Sequence, residues 1–282
     1  MALEYLDSLN LAGDVGKPNE DALVFDRKAA MVLDGATSLG DPFLQGASDA
    51  AWIARTGGER VLAHLLAGES PAEAVRIALH DVTEAFARLR RRVPTETWEL
   101  PFASMMLAVP VEGLLSLLWF GDCDAIVCKP GGDAVMVGDA VSRRARERIR
   151  VAALAGGEHA RPAAAGVRDT FLDSLRQARN TVNTERGGWL FGPDQRAADH
   201  AAKREVETPA GTRVLLMTDG FLALVSDYER YDVPSLLAAA ESKGLAALGQ
   251  ELREIERNDA DGARYPRFKT HDDATALLFR VV

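Results

Sequence analysis

Residues 31–37, Met31-Val32-Leu33-Asp34-Gly35-Ala36-Thr37, form a short apolar run that ends in an Asp-Gly pair. A run of this kind predicts a buried β-strand that carries a carboxylate at its tip. Asp and Gly are also the ordinary residues of a turn after a strand, so a single pair indicates no more than a turn. What the pair means therefore depends on whether other strands end in the same way.

Four further predicted strands have acidic residues at one end. They are Glu20-Asp21 before Ala22–Phe25, Gly121-Asp122 after Leu114–Phe120, Asp219-Gly220 after Val214–Thr218, and Asp272-Asp273 before Ala274–Phe279. If these strand ends converge, the repulsion between their carboxylates must be offset, and a divalent cation bound through oxygen is the usual means. The pattern thus predicts a metal site.

Composition limits the class of protein. The chain has 282 residues, 47% of them hydrophobic, and a formal net charge of −9. This content allows one large core and no linker divides it, so we expect a single domain over residues 1–282 with a flap or insert at about 139–200. The negative charge argues against nucleic acid or an anionic membrane as a partner. With no signal segment or long apolar run, we expect a cytoplasmic monomer.

The two cysteines, Cys123 and Cys128, lie five positions apart. On a strand this spacing places them on opposite faces, which argues against both a disulfide and a zinc site. We therefore expect both to be small buried side chains.

Helical periodicity is clearest after Ser70-Pro71-Ala72-Glu73, which combines a capping box with Pro at the first helical position. Other helices are predicted at about residues 44–66, 142–154, 169–179, 234–243 and 245–257. The arginine-rich helix at 142–154 belongs to the predicted flap.

Four apolar runs between residues 102 and 137 are separated by only a few residues, which predicts antiparallel meander connections. Their near-continuous apolar character predicts sheets covered on both faces. The order of strands and helices lacks the regular alternation of a doubly wound sheet. We predict an α+β fold, a four-layer α-β-β-α sandwich of two mostly antiparallel sheets flanked by helix pairs.

Five motifs occur in a characteristic order between residue 13 and the carboxyl terminus. They are Asn19-Glu20-Asp21, Asp34-Gly35, Gly121-Asp122, Thr218-Asp219-Gly220 and Asp272-Asp273-Ala274-Thr275. Together they resemble the motifs of the metal-dependent type 2C serine/threonine protein phosphatases. The resemblance implies a β-sandwich between helix pairs that binds two Mn²⁺ or Mg²⁺ ions, with a third, weaker ion beside them.

The resemblance also implies the ligands of these ions. They would be Glu20, Asp21, Asp34, Gly35, Asp122, Asp219 and Asp272. Asp34 would bridge both metals, Gly35 would offer its carbonyl group to one, and Asp219 and Asp272 would complete the other. These three aspartates would be the catalytic residues.

Three acidic residues have subsidiary roles in this interpretation. Glu20 would hold the Gly35-bound metal through a water molecule, with Asp21 supporting it nearby. Only one of these two side chains need face the metals, because neighbouring residues of a strand project to opposite sides. Asp122 would share the third metal with Asp219.

The chain departs from the family pattern at the phosphate-binding arginine. Gly16 stands at that position, with Lys17 next to it. Lys17 can bind phosphate as a point charge, although not as a bidentate fork. His271, which adjoins Asp272, is a candidate general acid for the leaving group.

Paired divalent cations roughly 3.5–4 Å apart can lower the pKa of a shared water and clamp phosphoryl oxygens for in-line attack. The resemblance therefore implies a hydrolase that removes phosphate from phosphoserine and phosphothreonine in proteins, as in bacterial signalling.

Three alternatives remain open. Asp122 and Asp124 form an Asp-x-Asp motif like that of haloacid dehalogenase-type phosphotransferases, although that motif belongs to a parallel sheet. A weakly active or inactive phosphatase-like module could recognise a phosphorylated partner, and the missing arginine favours it. The substrate could also be a small phosphate ester.

Overall fold

The computed structural model describes residues 1–46, 48–140, 172–265, 267 and 269–282. In this part of the chain the strands are β1 Leu3–Leu11, β2 Asp21–Asp26, β3 Ala29–Gly35, β4 Ala103–Val111, β5 Leu114–Phe120, β6 Asp124–Cys128, β7 Ala134–Val137, β8 Ala202–Glu207, β9 Arg213–Met217 and β10 Ala274–Val281. The α-helices are α1 Asp49–Ala67, α2 Pro71–Leu89, α3 Leu172–Arg179, α4 Asp219–Ser226, α5 Val233–Lys243 and α6 Leu245–Asn258.

The strands form two five-stranded sheets. One has the order β1-β10-β9-β6-β7 and the other the order β2-β3-β4-β5-β8. Every neighbouring pair of these strands runs antiparallel. Helices α1 and α2 cover the second sheet, and α4, α5 and α6 cover the first. The predicted α+β fold, an α-β-β-α sandwich, is confirmed.

Strand β3 shows why apolar and polar residues do not alternate along the central strands. Met31 and Leu33 pack into the core beneath α1 and α2, whereas Ala30 and Val32 face the other sheet. Both faces of the strand are therefore removed from water, and an apolar residue is favoured at each position. The carboxylate of Asp34 comes where this run ends.

Helix α1 begins later than predicted, at Asp49 rather than near residue 44. The hydroxyl of Ser48 caps the helix by accepting hydrogen bonds from the N–H groups of Ala50 and Ala51. Asp49 accepts the N–H groups of Phe43 and Leu44 at 2.7 and 3.0 Å, which holds the preceding residues in a loop. Phe43 and Leu44 of that loop are buried against Phe86, so their spacing resembles the apolar face of a helix.

The predicted continuous meander is wrong at one connection. Strands β5 and β6 lie in different sheets, so residues 121–123 carry the chain across the sandwich. Gly121 has a φ of +70°, a conformation that glycine adopts without strain. Spacing alone does not distinguish such a crossing from a hairpin.

The sequence did not predict α4 or β8. Helix α4 is only eight residues long and six of them are buried, so no polar face reveals its period. Of the two flap helices, 142–154 lies outside the described residues, and the described part of the second is Leu172–Arg179.

The two cysteines are buried and unbridged, as predicted. Within the described residues, none of the helices has the length and apolar character needed to span a membrane.

Candidate metal centre

The acidic ends of β2 and β3 meet through strand register. Asp21, the first residue of β2, lies opposite Asp34 near the end of β3, and Asp34 lies opposite Ser104 on β4. The hydroxyl of Ser104 donates a hydrogen bond of 2.5 Å to Asp122, which follows β5. Three predicted site residues of the second sheet are thus brought to one end of the sandwich.

The first sheet contributes its acidic residues at the same end. Asp219 begins α4 two residues after β9 ends, and Asp272 lies two residues before β10 begins. Met217 is opposite Ala276 in the β9–β10 ladder, so the end of β9 and the start of β10 lie side by side. The N–H group of Thr218 continues this pairing with the carbonyl of Thr275 at 3.0 Å.

The carboxylates are close enough to influence one another's ionisation. Burial raises the pKa of Asp34 well above its ordinary value of 3.8, and the negative charges of Asp219, Asp21, Asp272 and Asp122 raise it further. This is the expected response of a partly desolvated acid among like charges. Five of the predicted site residues therefore form one carboxylate cluster.

Asp21 is the member whose surroundings most directly favour a bound cation. It is 7% exposed, and burial raises its pKa well above the ordinary value, although hydrogen bonding from Thr218 and Thr275 opposes this. The hydroxyl of Thr218 donates to Oδ2 at 2.8 Å, whereas Oδ1 has no partner at full hydrogen-bond geometry. A buried carboxylate oxygen without a partner is costly, and a hard cation would satisfy it.

Glu20 points to the loop that follows Asp34. Its carboxylate accepts hydrogen bonds from the hydroxyls of Thr37 and Ser48. Its carbonyl oxygen accepts the N–H of Gly35 at 3.0 Å, which ties β2 to the end of β3. Glu20 thus lies beside the carboxylate cluster and orients the residues next to Gly35.

Asp273, which the sequence did not assign, braces the same region. Its two carboxylate oxygens accept the N–H groups of Gly13 and Glu20, each at 2.7 Å. One side chain therefore joins the start of β10 to the segments on both sides of the β1–β2 loop.

The ammonium group of Lys269 is the cation that the structure places against this cluster. It donates to Asp272 Oδ1 at 2.7 Å and to the hydroxyl of Thr37 at 3.2 Å. Burial by itself would lower the pKa of Lys269, but Asp272, Asp34 and Asp219 together raise it. Lys269 therefore stays charged at neutral pH. The sequence interpretation missed it, although a lysine three residues before an acidic pair was a signal.

The side chains of the cluster do not enclose an ion in their present arrangement. In the described ranges, no three His, Cys, Asp or Glu side chains meet closely enough to hold a metal. Lys269 engages Oδ1 of Asp272 and Ser104 engages Oδ1 of Asp122, so coordination by these two oxygens requires the partners to be exchanged, whereas coordination through Oδ2 of Asp272 does not. The all-oxygen donor set and the unsatisfied Asp21 Oδ1 nevertheless fit Mn²⁺ or Mg²⁺.

A cleft of about 300 Å³ opens onto the cluster. Asp34 and Asp122 line one side of the cleft, and Val182, Gly188 and Leu190 line another. The latter three belong to the segment that was predicted to form a flap. The segment is anchored near the cluster by two arginines of α3, which donate to the carbonyls of Leu39 and Thr37.

Helix α6 supports the Asp272 loop through a buried ion pair that sequence reasoning did not find. Arg253 donates to the carbonyl of Asp272 at 2.7 Å and to those of Leu11 and Ala12 at 3.2 and 3.1 Å. Glu256 holds the same guanidinium at 2.7 Å. The side chains of this pair are 11% and 4% exposed, so both ions depend on each other.

We expect Arg253→Met to destabilise the protein, because it removes the guanidinium from the buried Glu256 and frees the Asp272 carbonyl. Among the described residues, Glu256 then keeps only His271 and Tyr228 as partners. Breaking a buried pair costs about 3–5 kcal/mol. The control is Arg280→Met, which breaks a pair with Glu4 whose side chains are 44% and 43% exposed, at a cost of about 1 kcal/mol or less. Thermal denaturation of both variants checks this, and equal shifts would contradict a special role for Arg253.

The two remaining predicted residues, Lys17 and His271, each lie next to an acidic residue outside the cluster. Lys17 is 3.5 Å from the carboxylate of Asp14, and its side chain is 77% exposed. Nδ1 of His271 lies 2.7 Å from the carboxylate of Glu256, so a hydrogen bond joins the imidazole ring to the Arg253–Glu256 ion pair. The structure thus gives each of them an acidic partner that is not a member of the cluster.

The Asp-x-Asp alternative fits this geometry poorly. Asp124 is fully buried at the start of an antiparallel strand, where Oδ1 accepts the N–H of Ala140 at 3.2 Å. It is therefore not placed to act as a general acid in the cleft.

Comparison with known proteins identifies the fold. No protein-family model matches the sequence, and no curated protein does. The catalytic domain of the serine/threonine protein phosphatase PstP, solved with two manganese ions, matches with a TM-score of 0.55 and 17% identity over 100% of this chain and 99% of that one.

Two further solved structures match over nearly their whole length. The PPM Ser-Thr phosphatase MsPP from Mycobacterium smegmatis, in complex with cacodylate, matches at a TM-score of 0.54 and 17% identity over 98% of this chain and 97% of that one. The photosystem II phosphatase PBCP matches at a TM-score of 0.59 and 12% identity over 99% of both chains. This chain therefore has the fold of the PPM, or type 2C, serine/threonine phosphatases.

Proposed function

We propose that the protein is a metal-dependent phosphomonoester hydrolase that dephosphorylates phosphoserine and phosphothreonine in proteins. The observation that carries this proposal is the convergence of five carboxylates, around the half-buried Asp34, at one end of a sandwich with the type 2C fold. Such a concentration of negative charge disfavours folding unless cations occupy it.

The residues that would hold the metals are those at this end of the sandwich. They are Glu20, Asp21, Asp34, the carbonyl group of Gly35, Asp122, Asp219 and Asp272. When bound, two or three Mn²⁺ or Mg²⁺ ions would supply an activated water and neutralise the phosphoryl group.

The chain's own residues would prepare this site. Thr218 fixes one oxygen of Asp21 and leaves the other available for coordination. Arg253 holds the main chain at Asp272, and Asp273 holds the main chain at Glu20. These contacts orient the ligands before a metal arrives, which reduces the reorganisation that binding requires. His271, oriented by Glu256, remains the candidate general acid.

The cleft has room for the phosphorylated side chain of a protein substrate. Its volume is about 300 Å³, with Asp34 and Asp122 in its lining together with Val182, Gly188 and Leu190 of the predicted flap. Two of the phosphatases that share the fold, PstP and MsPP, are described as serine/threonine phosphatases, which supports the same substrate class.

The direct test is hydrolysis of p-nitrophenyl phosphate and of a phosphothreonine peptide by the purified protein, with Mn²⁺, with Mg²⁺ and with excess chelator. We expect metal-dependent turnover that the chelator abolishes. A preference for the peptide would support a protein substrate, and a preference for small esters would redirect the assignment. Binding of Mn²⁺ without turnover of either substrate would favour a phosphatase-like binding module instead.

A further inference from the structure

Lys269 lies between the carboxylate cluster and solvent. Its ammonium group contacts Asp272 Oδ1 at 2.7 Å and the hydroxyl of Thr37 at 3.2 Å. Its side chain is nevertheless 41% exposed. Thr37 directly follows Ala36, which lines the cleft, so the ammonium lies against negative charge on one side and beside the cleft on the other.

The contacts of Lys269 join two parts of the site. Thr37 belongs to the loop after Asp34 and donates its own hydrogen bond to Glu20, whereas Asp272 precedes β10. The ammonium therefore bridges residues from the two sheets. Ion pairing with Asp272 offsets part of the repulsion that the cluster would otherwise create.

A phosphate ester that approaches this site encounters an electrostatic obstacle. A phosphomonoester carries about −1.5 to −2 charges at neutral pH, and the cleft is lined by Asp34 and Asp122. A positive side chain at the entrance lowers this repulsion and gives the phosphoryl oxygens a donor. Lys17, the candidate from sequence, is paired with Asp14 and is 77% exposed, so it is the weaker candidate for this role.

We propose that Lys269 is the phosphate-binding cation of the site and serves as the counter-ion of Asp272 until a divalent cation takes that carboxylate. The proposal rests on the proposed function and adds the residue that recognises the substrate's phosphate. A lysine suits both tasks, because its flexible four-carbon stem lets the ammonium move between nearby acceptors. When a divalent cation binds Asp272, Thr37 Oγ1 remains as the acceptor that keeps the ammonium beside the cleft.

The test uses Lys269→Met, which removes the charge at similar length, and Lys269→Arg, which keeps it. Inorganic phosphate is titrated calorimetrically into each Mn²⁺-loaded protein. We expect phosphate affinity to fall at least about tenfold in Lys269→Met and to stay within about threefold in Lys269→Arg, because the charged hydrogen bond to phosphate is lost in the first and kept in the second. Lys129→Met is the matched control, since Lys129 is 45% exposed and lies 4.0 Å from Glu207, and it should bind phosphate as the wild type does. Lys17→Met tests the competing candidate from the sequence.

Two readouts without substrate test the counter-ion role. In chelator, Lys269→Met should melt at a lower temperature than the wild type, because the cluster has lost its cation. Mn²⁺ titrated into the metal-free proteins should bind Lys269→Met at least as tightly as the wild type, because no ammonium competes for Asp272.

Several results would overturn the proposal. The proposal is wrong if Lys269→Met binds phosphate as tightly as the wild type does, or if the wild type binds no phosphate. It is also wrong if Lys17→Met, rather than Lys269→Met, loses phosphate affinity. Weaker Mn²⁺ binding by Lys269→Met would instead make Lys269 a structural support. Hydrolysis is measured separately, so a wild type that binds phosphate through Lys269 but turns over no ester would refute the proposed hydrolase and leave this inference standing.

Discussion

Asp34→Asn should abolish hydrolysis and at the same time stabilise the metal-free protein. Asp34 is half-buried and lies among four other carboxylates, and its replacement removes the ligand that would be shared by both metals. Replacing a residue that only supports a metal ligand already lowers metal affinity or activity roughly 10- to 100-fold. We therefore expect the loss of a ligand itself to lower turnover by well over about a hundredfold. Steady-state hydrolysis of p-nitrophenyl phosphate with Mn²⁺ measures it.

The gain in stability has a definite pH dependence. Burial and the neighbouring carboxylates raise the pKa of Asp34 in the folded protein above 3.8, so the folded state binds a proton more tightly than the unfolded state does. The stability contributed by the protonated form is complete below pH 3.8 and is lost as the pH rises through the raised pKa. Metal-free wild type should therefore lose stability as the pH rises from 4 toward 7, and Asp34→Asn should lose less.

Thermal denaturation in chelator at a series of pH values checks this expectation. Asp133→Asn is the control, because Asp133 is exposed in the turn between β6 and β7. It should leave both turnover and the pH dependence unchanged. An Asp34→Asn variant that retained turnover would refute the metal assignment, and one that melted below the wild type at pH 7 would show that Asp34 is not under repulsion.

The parts of the fold that were predictable from sequence are those with a local physical signal. The apolar run before Asp34 predicted a strand buried on both faces because burial on both faces requires apolar residues throughout. The start of α2 was predictable because Ser70 accepts the N–H of Glu73 and Pro71 occupies the first helical position. Neither signal depends on distant parts of the chain.

The missed residues act across long separations. Arg253 is 19 residues from Asp272 and 241 from Ala12, and its role arises only when α6 packs beside the end of β1. Lys269 reaches Thr37, 232 residues away, and looks like an ordinary loop lysine until the sheets are stacked. Acidic strand ends identified the carboxylates of the site, but the cations that organise them follow from the tertiary structure.

Gly220→Ala should disrupt the centre by forcing apart the two motifs of the first sheet. A Cβ atom at Gly220 would lie 1.9 Å from the carbonyl oxygen of Asp273 and 3.4 Å from Cβ of Asp272. In the first contact a Cβ atom, which is fixed by the main chain, meets a main-chain carbonyl oxygen. No side-chain rotation relieves this overlap, so α4 must move away from the start of β10. We expect a melting temperature lower by roughly 2–12 °C, since overpacking costs typically 1–3 kcal/mol and each kcal/mol corresponds to about 2–4 °C.

The same displacement should affect metal binding beyond its effect on stability. Asp219 and Asp272 flank the contact, so separating them moves two ligands of one proposed ion, and calorimetry should show Mn²⁺ affinity reduced at least about tenfold. Gly132→Ala is the matched control, because its Cβ would meet only Lys129 at 3.5 Å or more. If Gly220→Ala melted and bound Mn²⁺ as this control does, the close approach of α4 to Asp273 would not position the site. If it lost stability but kept full affinity, Asp219 and Asp272 would not share an ion.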